Sequence, residues 1–93
     1  MASLADELKA MIGHDVVLDT RTSFVYIGKL ESIGEHLLTL TDVDVYDSSE
    51  TQTRKEVYVY ETRKYGIKRN RSRCSVRISE VISLSRLEDV VEF

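Results

Sequence analysis

Phe24-Val25-Tyr26-Ile27-Gly28-Lys29-Leu30-Glu31-Ser32-Ile33-Gly34-Glu35-His36-Leu37-Leu38-Thr39-Leu40 is the stretch whose reading decides the fold. Phe24, Tyr26 and Leu30 fall on alternate positions with Gly28 on the same face, and the alternation resumes at His36, Leu38 and Leu40 beyond Ile33-Gly34-Glu35. Strand side chains alternate faces with a period of two, so the pattern predicts two half-buried strands around a tight turn. A glycine within a strand marks a bulge, a sharp bend or a close backbone approach. Gly28 therefore points to a strongly bent antiparallel sheet.

Upstream, Leu4, Leu8, Met11 and Ile12 recur at i, i+4, i+7 and i+8 behind a Ser3 N-cap, with Asp6 and Glu7 in the first turn and Gly13 as the stop. This is a short amphipathic helix, too short to stand alone, so the sheet must cover its apolar stripe. His14 to Thr20 reads as a strand with Val16 and Leu18 facing one way and Asp15, Val17 and Asp19 the other.

Downstream, the strand that begins at His36 continues through Asp42-Val43-Asp44-Val45-Tyr46 to a polar turn, Asp47-Ser48-Ser49-Glu50. Glu56-Val57-Tyr58-Val59-Tyr60 is rich in β-branched and aromatic residues and has strand composition. Residues 44–72 are accordingly expected to form an extended hairpin insertion between the third and fourth strands. Arg73 to Ile78 and Val81 to Ser85 give two more short strands separated by Ser79-Glu80, and Leu87 to Phe93 is either one helical turn or an edge segment. The expectation is a mainly β domain spanning 1–93: a short N-terminal helix, then a bent five-stranded antiparallel sheet forming a small SH3-like barrel.

With 93 residues, 42% of them hydrophobic and 31% charged, the chain makes one small globular core that oligomerisation would help to stabilise. No apolar run approaches the roughly 20 residues of a membrane helix. The segment MASLADELKAM has acids where a signal peptide has bases, so the expected location is the cytoplasm, away from the membrane. A single cysteine, Cys74, forms no internal disulfide and is expected on the inward face of its strand. The net charge of -3 conceals an asymmetry: residues 63–73 carry six bases and no acid, which leaves -9 for the remainder.

Nothing supports an enzyme, since no nucleophile elbow, P-loop or dinucleotide glycine pattern occurs and no cofactor is implied. Metal binding is not expected either. Asp42, Asp44 and Asp47 lack the turn glycine and closing acid of a calcium loop, and His14, His36 and Cys74 make no zinc set. The alternating aspartates, Asp42 and Asp44, are expected on the exposed face of a strand.

Leu8-Lys9-Ala10-Met11-Ile12-Gly13-His14-Asp15-Val16 resembles the L-x-x-L-x-G-x-x-V opening of Sm and Sm-like proteins. Tyr26-Ile27-Gly28-Lys29-Leu30 is similar to that family's Y-x-G-x-L, and Val76-Arg77-Ile78-Ser79-Glu80-Val81-Ile82-Ser83-Leu84 to its I-R-G-x-x-V-x-x-I. The resemblance covers residues 3–40 and 73–86 and implies a ring of copies joined by their strand edges. It also implies single-stranded RNA as the partner.

In that family an aspartate, an aromatic or histidine, and an asparagine before the third strand act with an arginine-glycine pair. By resemblance His36 takes the stacking position and Arg77 the arginine position. Gly34 replaces the aspartate, Leu38 (or Leu37, if the turn is one residue shorter) the asparagine, and Ile78 the glycine. The amide that reads a base is missing, which argues against specific uridine recognition. If 67–77 is one uninterrupted strand, Arg69, Arg71, Arg73 and Arg77 share a face, with Tyr65 nearby as a stacking platform. The expected function is weak single-stranded RNA binding through His36, Arg77, Arg69, Arg71, Arg73 and Tyr65. The alternative is a structural or protein-interaction ring without RNA.

Overall fold

A computed structural model of the chain describes residues 4–50 and 53–91. The elements run α1 (Leu4–Lys9), β1 (Asp15–Thr20), β2 (Phe24–Ile33), β3 (Leu37–Asp47), α2 (Lys55–Tyr65), β4 (Arg71–Arg77) and β5 (Val81–Arg86). Single 3-10 turns occupy Ile78–Glu80 and Leu87–Asp89. The expected Ser3 cap lies outside the described residues, as do the last two positions of the C-terminal segment, whose Leu87–Asp89 part is the helical turn.

All strands pair antiparallel in one five-stranded sheet, in the order β4-β3-β2-β1-β5. The sheet does not close, so β4 and β5 are its two edges even though only a 3-10 turn joins them in the chain.

The bend lies where Gly28 announced it. The β2–β3 register slips between Ile27↔Asp44 and Lys29↔Thr41, so Asp42 and Val43 stand opposite the single residue Gly28. Asp42 takes a left-handed φ of 51°, a conformation that aspartate tolerates better than most residues and that suits a bulge. A Cβ on Gly28 would sit 3.0 Å from the Thr41 carbonyl oxygen and 3.2 Å from the Val43 Cα. Only a glycine lets the two backbones approach this closely.

Side-chain alternation sorts the apolar residues onto two faces. Val16, Leu18, Leu30, Leu38, Leu40, Val43 and Val76 form the cluster on what we term the inner face, with Leu8 and Met11 packed over it and Cys74 half-buried at its edge. The end of α1 is held there by Gly13 N–H to the Leu30 carbonyl at 2.8 Å and Leu30 N–H to the His14 carbonyl at 3.0 Å. Ile12, expected in the helical stripe, is instead exposed. Past Lys9 the chain tightens into i to i+3 turns, which swing Ile12 off the 3.6-residue face.

The outer face departs most from expectation. Val17, on the face opposite Val16 and Leu18, and Val25 and Ile27, between the alternating Phe24, Tyr26 and Gly28, are buried as well, the last two at 0% exposure. They pack with Tyr46, Val59 and Leu87 in a second cluster. The cover is α2 together with the C-terminal turn that carries Leu87, and α2 replaces the expected hairpin: residues 55–65 are helical, not strand. Val59 and Thr62 are the buried positions of α2, spaced i, i+3 as a helix face requires.

Side-chain contacts fasten α2. The Tyr58 ring stacks on Tyr46 at 3.8 Å between centroids, Lys55 pairs with Asp19 at 3.0 Å, and Arg63 Nε donates to the Glu88 carbonyl at 3.2 Å. The helix ends at Gly66, whose φ of 96° is accessible to glycine and whose N–H reaches the Thr62 carbonyl. Burial of three large β-branched side chains outweighs the strand propensity of Glu56–Tyr60, because propensity differences are tenths of a kcal/mol per residue and each buried side chain is worth about 1.5–3 kcal/mol.

Candidate nucleic-acid interface

The turn before β3 and the end of β4 come together because the β3–β4 ladder pairs Leu37 with Arg77 and the Ile78 N–H donates to the His36 carbonyl at 2.9 Å. Around them lies a groove of about 650 Å³ lined by Glu35, His36, Leu37, Arg77, Ile78 and Ser79. His36 and Arg77 thus share one concavity, and both side chains are exposed.

Glu35 lies beside the ring, with Oε1 4.0 Å from His36 Nε2. The two leucines divide sharply: Leu38 is 1% exposed in the inner core, whereas Leu37 is 44% exposed at the groove. Of the two alternatives, only the Leu37 position opens onto the groove. A ring, a guanidinium and two aliphatic side chains can stack on a base and hold a phosphate.

The basic strand is shorter than expected. β4 begins at Arg71, so Arg69 precedes it and is not part of an uninterrupted row. From Arg71 onward the alternation holds, with Arg71, Arg73 and Arg77 exposed and Val76 buried between them. The start of β4 is set by Asn70, which acts as a surrogate strand residue. Its amide side chain accepts from Val45 N–H at 3.0 Å and donates to the Val45 carbonyl at 3.0 Å, while its N–H reaches the Val43 carbonyl at 2.8 Å.

Two of the arginines are already engaged. Arg69 Nη1 lies 2.6 Å from Asp42 Oδ1, and Arg73 Nη2 lies 2.9 Å from Glu31 Oε1. Arg71 donates to the Asn70 carbonyl at 3.1 Å. Among the described residues, Arg77 and Arg71 have no carboxylate within ion-pair distance.

Tyr65 does not join this site. It ends α2, fully outside β4, and lines a separate crevice of about 70 Å³ with Asp44, Tyr58, Glu61, Thr62, Gly66 and Lys68, its ring 5.3 Å from Lys64 Nζ. The helical course of 55–65 carries it away from the row beside which a hairpin would have placed it.

Charge sums over residues 63–73 could not reveal Glu31 or Asp42, which come from β2 and β3. Lys29 was also overlooked, although it stands in one ladder row with Thr41 and Arg73 on the open part of the outer face. The signal for it was present: Lys29 and Glu31 flank the buried Leu30 in strict alternation.

The aspartates of β3 serve the fold rather than sharing a ligand. Asp42 pairs with Arg69. Asp47 accepts from the Ser23 and Ser49 hydroxyls, which hold its carboxyl below the usual range. Asp44, expected on an exposed face, is buried and accepts from Tyr58 Oη and from Asn70 Nδ2. Burial, then this hydrogen bond and the Asp44 charge, push the Tyr58 hydroxyl far above its ordinary value. Among the described residues no three His, Cys, Asp or Glu side chains converge as a metal set, and no helix is long and apolar enough to cross a membrane. A slightly larger groove of about 680 Å³, between His14, Arg63, Lys64 and Glu88, contains none of the expected residues.

No protein-family model matches the chain, and no curated protein matches it in sequence. Solved structures do. The fold is similar to that of the Sm protein of Pyrococcus abyssii in complex with a uridine heptamer, with a TM-score of 0.62 and 14% identity, covering 91% of this chain and 99% of that one. It is also similar to the SmAP1 heptamer of P. aerophilum, with a TM-score of 0.58 and 24% identity, covering 92% and 95%. The chain therefore has the Sm fold.

Proposed function

We propose that the chain is a non-enzymatic, ring-forming Sm-like subunit of the cytoplasm that binds single-stranded RNA weakly and with little preference among bases. The observation that carries this reading is the meeting of His36 and Arg77 in one groove on an Sm fold. Arg77 supplies a phosphate contact, His36 a stacking surface, and Leu37 apolar cover without a donor–acceptor pair, so backbone and ring face are engaged but base edges are not read. Arg71, Arg73 and Arg69 extend the positive surface from the groove along β4, and Tyr65 adds a separate exposed ring.

The open sheet supports the assembly. β4 and β5 each present unpaired backbone groups, and edge-to-edge pairing of successive copies satisfies both in a closed ring. The neighbour solved as a heptamer has the same fold. Light scattering on the purified protein tests the ring, with a monomer mass as the contrary result. Fluorescence anisotropy at low salt, with a uridine-rich and a mixed-sequence oligoribonucleotide, tests the ligand. Equal micromolar-range binding of the two is expected, and no binding of either refutes the RNA reading in favour of a protein-interaction ring.

A further inference from the structure

The basic surface along β4 is not vacant. Arg69, just before β4, is bonded to Asp42 of β3, and Arg73 of β4 to Glu31 of β2, each acid presenting a carboxylate oxygen where a phosphate oxygen would sit. Carboxylate and phosphate compete for the same face of a guanidinium. These pairs are exposed on both sides: the side chains of Arg73 and Glu31 are 64% and 40% accessible, those of Arg69 and Asp42 65% and 62%. Exposed pairs are weak and screened by salt, so a phosphate can replace the acid at small cost.

We infer that Glu31 and Asp42 act as built-in competitors of phosphate on this surface, making it selective for a polyanion over a single nucleotide. The inference rests on the RNA reading of the preceding subsection and adds what governs access to the surface. One phosphate that displaces one carboxylate exchanges an anion for an anion and gains little. An oligonucleotide anchored at Arg77, which has no carboxylate within ion-pair distance among the described residues, brings later phosphates to Arg73 and Arg69 at high effective concentration. It also releases its condensed counterions. Arg73 and Arg77 lie four residues apart on β4, on the order of 13 Å at 3.3 Å per residue, so bridging them takes more than one nucleotide. The acids thereby set a threshold of length rather than of sequence.

The test is anisotropy with the full chain and a labelled mixed-sequence oligoribonucleotide, comparing wild type with Glu31→Gln, Asp42→Asn, the double variant and Glu56→Gln. Both competitor substitutions keep the side-chain shape, and asparagine tolerates the left-handed conformation at position 42. Thermal melting checks that each variant folds. Each competitor variant is expected to bind about two- to fivefold more tightly at low salt, the double variant more so, with the gain fading as salt rises. Glu56→Gln removes the same charge from α2 and is expected to change affinity far less. Unlabelled uridine monophosphate is expected to leave the oligonucleotide on wild type and to displace part of it from the double variant. Wild-type binding that Glu31→Gln and Asp42→Asn leave unchanged, or that Glu56→Gln strengthens equally, overturns the competitor role and leaves the groove reading standing. Displacement from wild type by the mononucleotide, or a double variant as resistant to it as wild type, overturns the length threshold. Binding by neither wild type nor the double variant removes both this inference and the RNA reading.

Discussion

Tyr58, on α2, donates its hydroxyl to the carboxylate of Asp44, a β3 group that is only 4% exposed. The contact joins the covering helix to the sheet through a charged acceptor that has lost most of its water. Removing the donor leaves that acceptor with the single Asn70 contact at 3.2 Å. Tyr58→Phe keeps the ring stacked on Tyr46 and is expected to destabilise the protein by about 1–3 kcal/mol, measured by urea unfolding.

Burial of the Tyr58 hydroxyl, followed by this contact, sets an alkaline limit. The folded Tyr58 hydroxyl titrates far above the ordinary 10.0, so above that pH the unfolded chain loses a proton that the folded chain keeps. Its contribution is complete below pH 10 and declines as pH rises beyond it. Thermal midpoints followed from pH 8 to pH 11 should begin to fall near pH 10, and more gently in Tyr58→Phe; Tyr26, raised mainly by burial, adds to the fall in both proteins. On the acid side the sign reverses. Asp47 is depressed by its Ser23 and Ser49 hydrogen bonds, so its contribution is present above the ordinary 3.8 and is lost as pH drops through the folded value.

Glycine positions separate cleanly. Gly28→Ala would drive a Cβ against backbone atoms of Thr41 and Val43, which cannot rotate away, and should cost about 1–3 kcal/mol by urea unfolding. Gly34→Ala meets only the Leu37 carbonyl oxygen at 3.5 Å, an ordinary contact, and should stay within about 0.5 kcal/mol of wild type.

Arg77→Gln should weaken uridine-rich and mixed RNAs by the same factor and make the log–log salt dependence shallower by about 0.7, the loss of one phosphate contact on a single strand. Anisotropy across a salt series reads both. A change confined to one RNA sequence would contradict a backbone role.

Leu37→Asn places an amide where the groove is apolar. Leu37 is exposed, so the substitution should leave stability nearly unchanged. A well-placed amide that pairs with one base edge discriminates by about 1–3 kcal/mol, and the variant should gain a preference between the two RNAs that wild type lacks. Competition anisotropy measures the ratio directly.

The sheet was legible because alternation in Val16–Leu18, Tyr26–Leu30 and Leu38–Leu40 is strict and Gly28 marks the bend. Bringing His36 and Arg77 together was legible through motif order and spacing. α2 was not, because Glu56–Tyr60 carries strand-forming residues and the reason for its helicity lies elsewhere in the chain, in Val17, Val25 and Ile27. Those three apolar residues, on the face opposite Val16, Leu18 and Leu30, were the available sign that a second layer exists. The ion pairs on Arg69 and Arg73 depend on register across three strands, which no local charge count contains.

Because α2 screens only the part of the outer face around Val17, Val25 and Ile27, the insertion is no detachable appendage. Excising it in favour of a tight β3–β4 connection would remove Val59, Tyr58 and Ile67 from that cluster and leave only Leu87 and Val90 over those side chains and Tyr46, so a shortened chain would need more polar residues among these positions. Lineages or designs that vary the length of this connection are thereby bound to change distant positions in β1, β2 and β3 in concert.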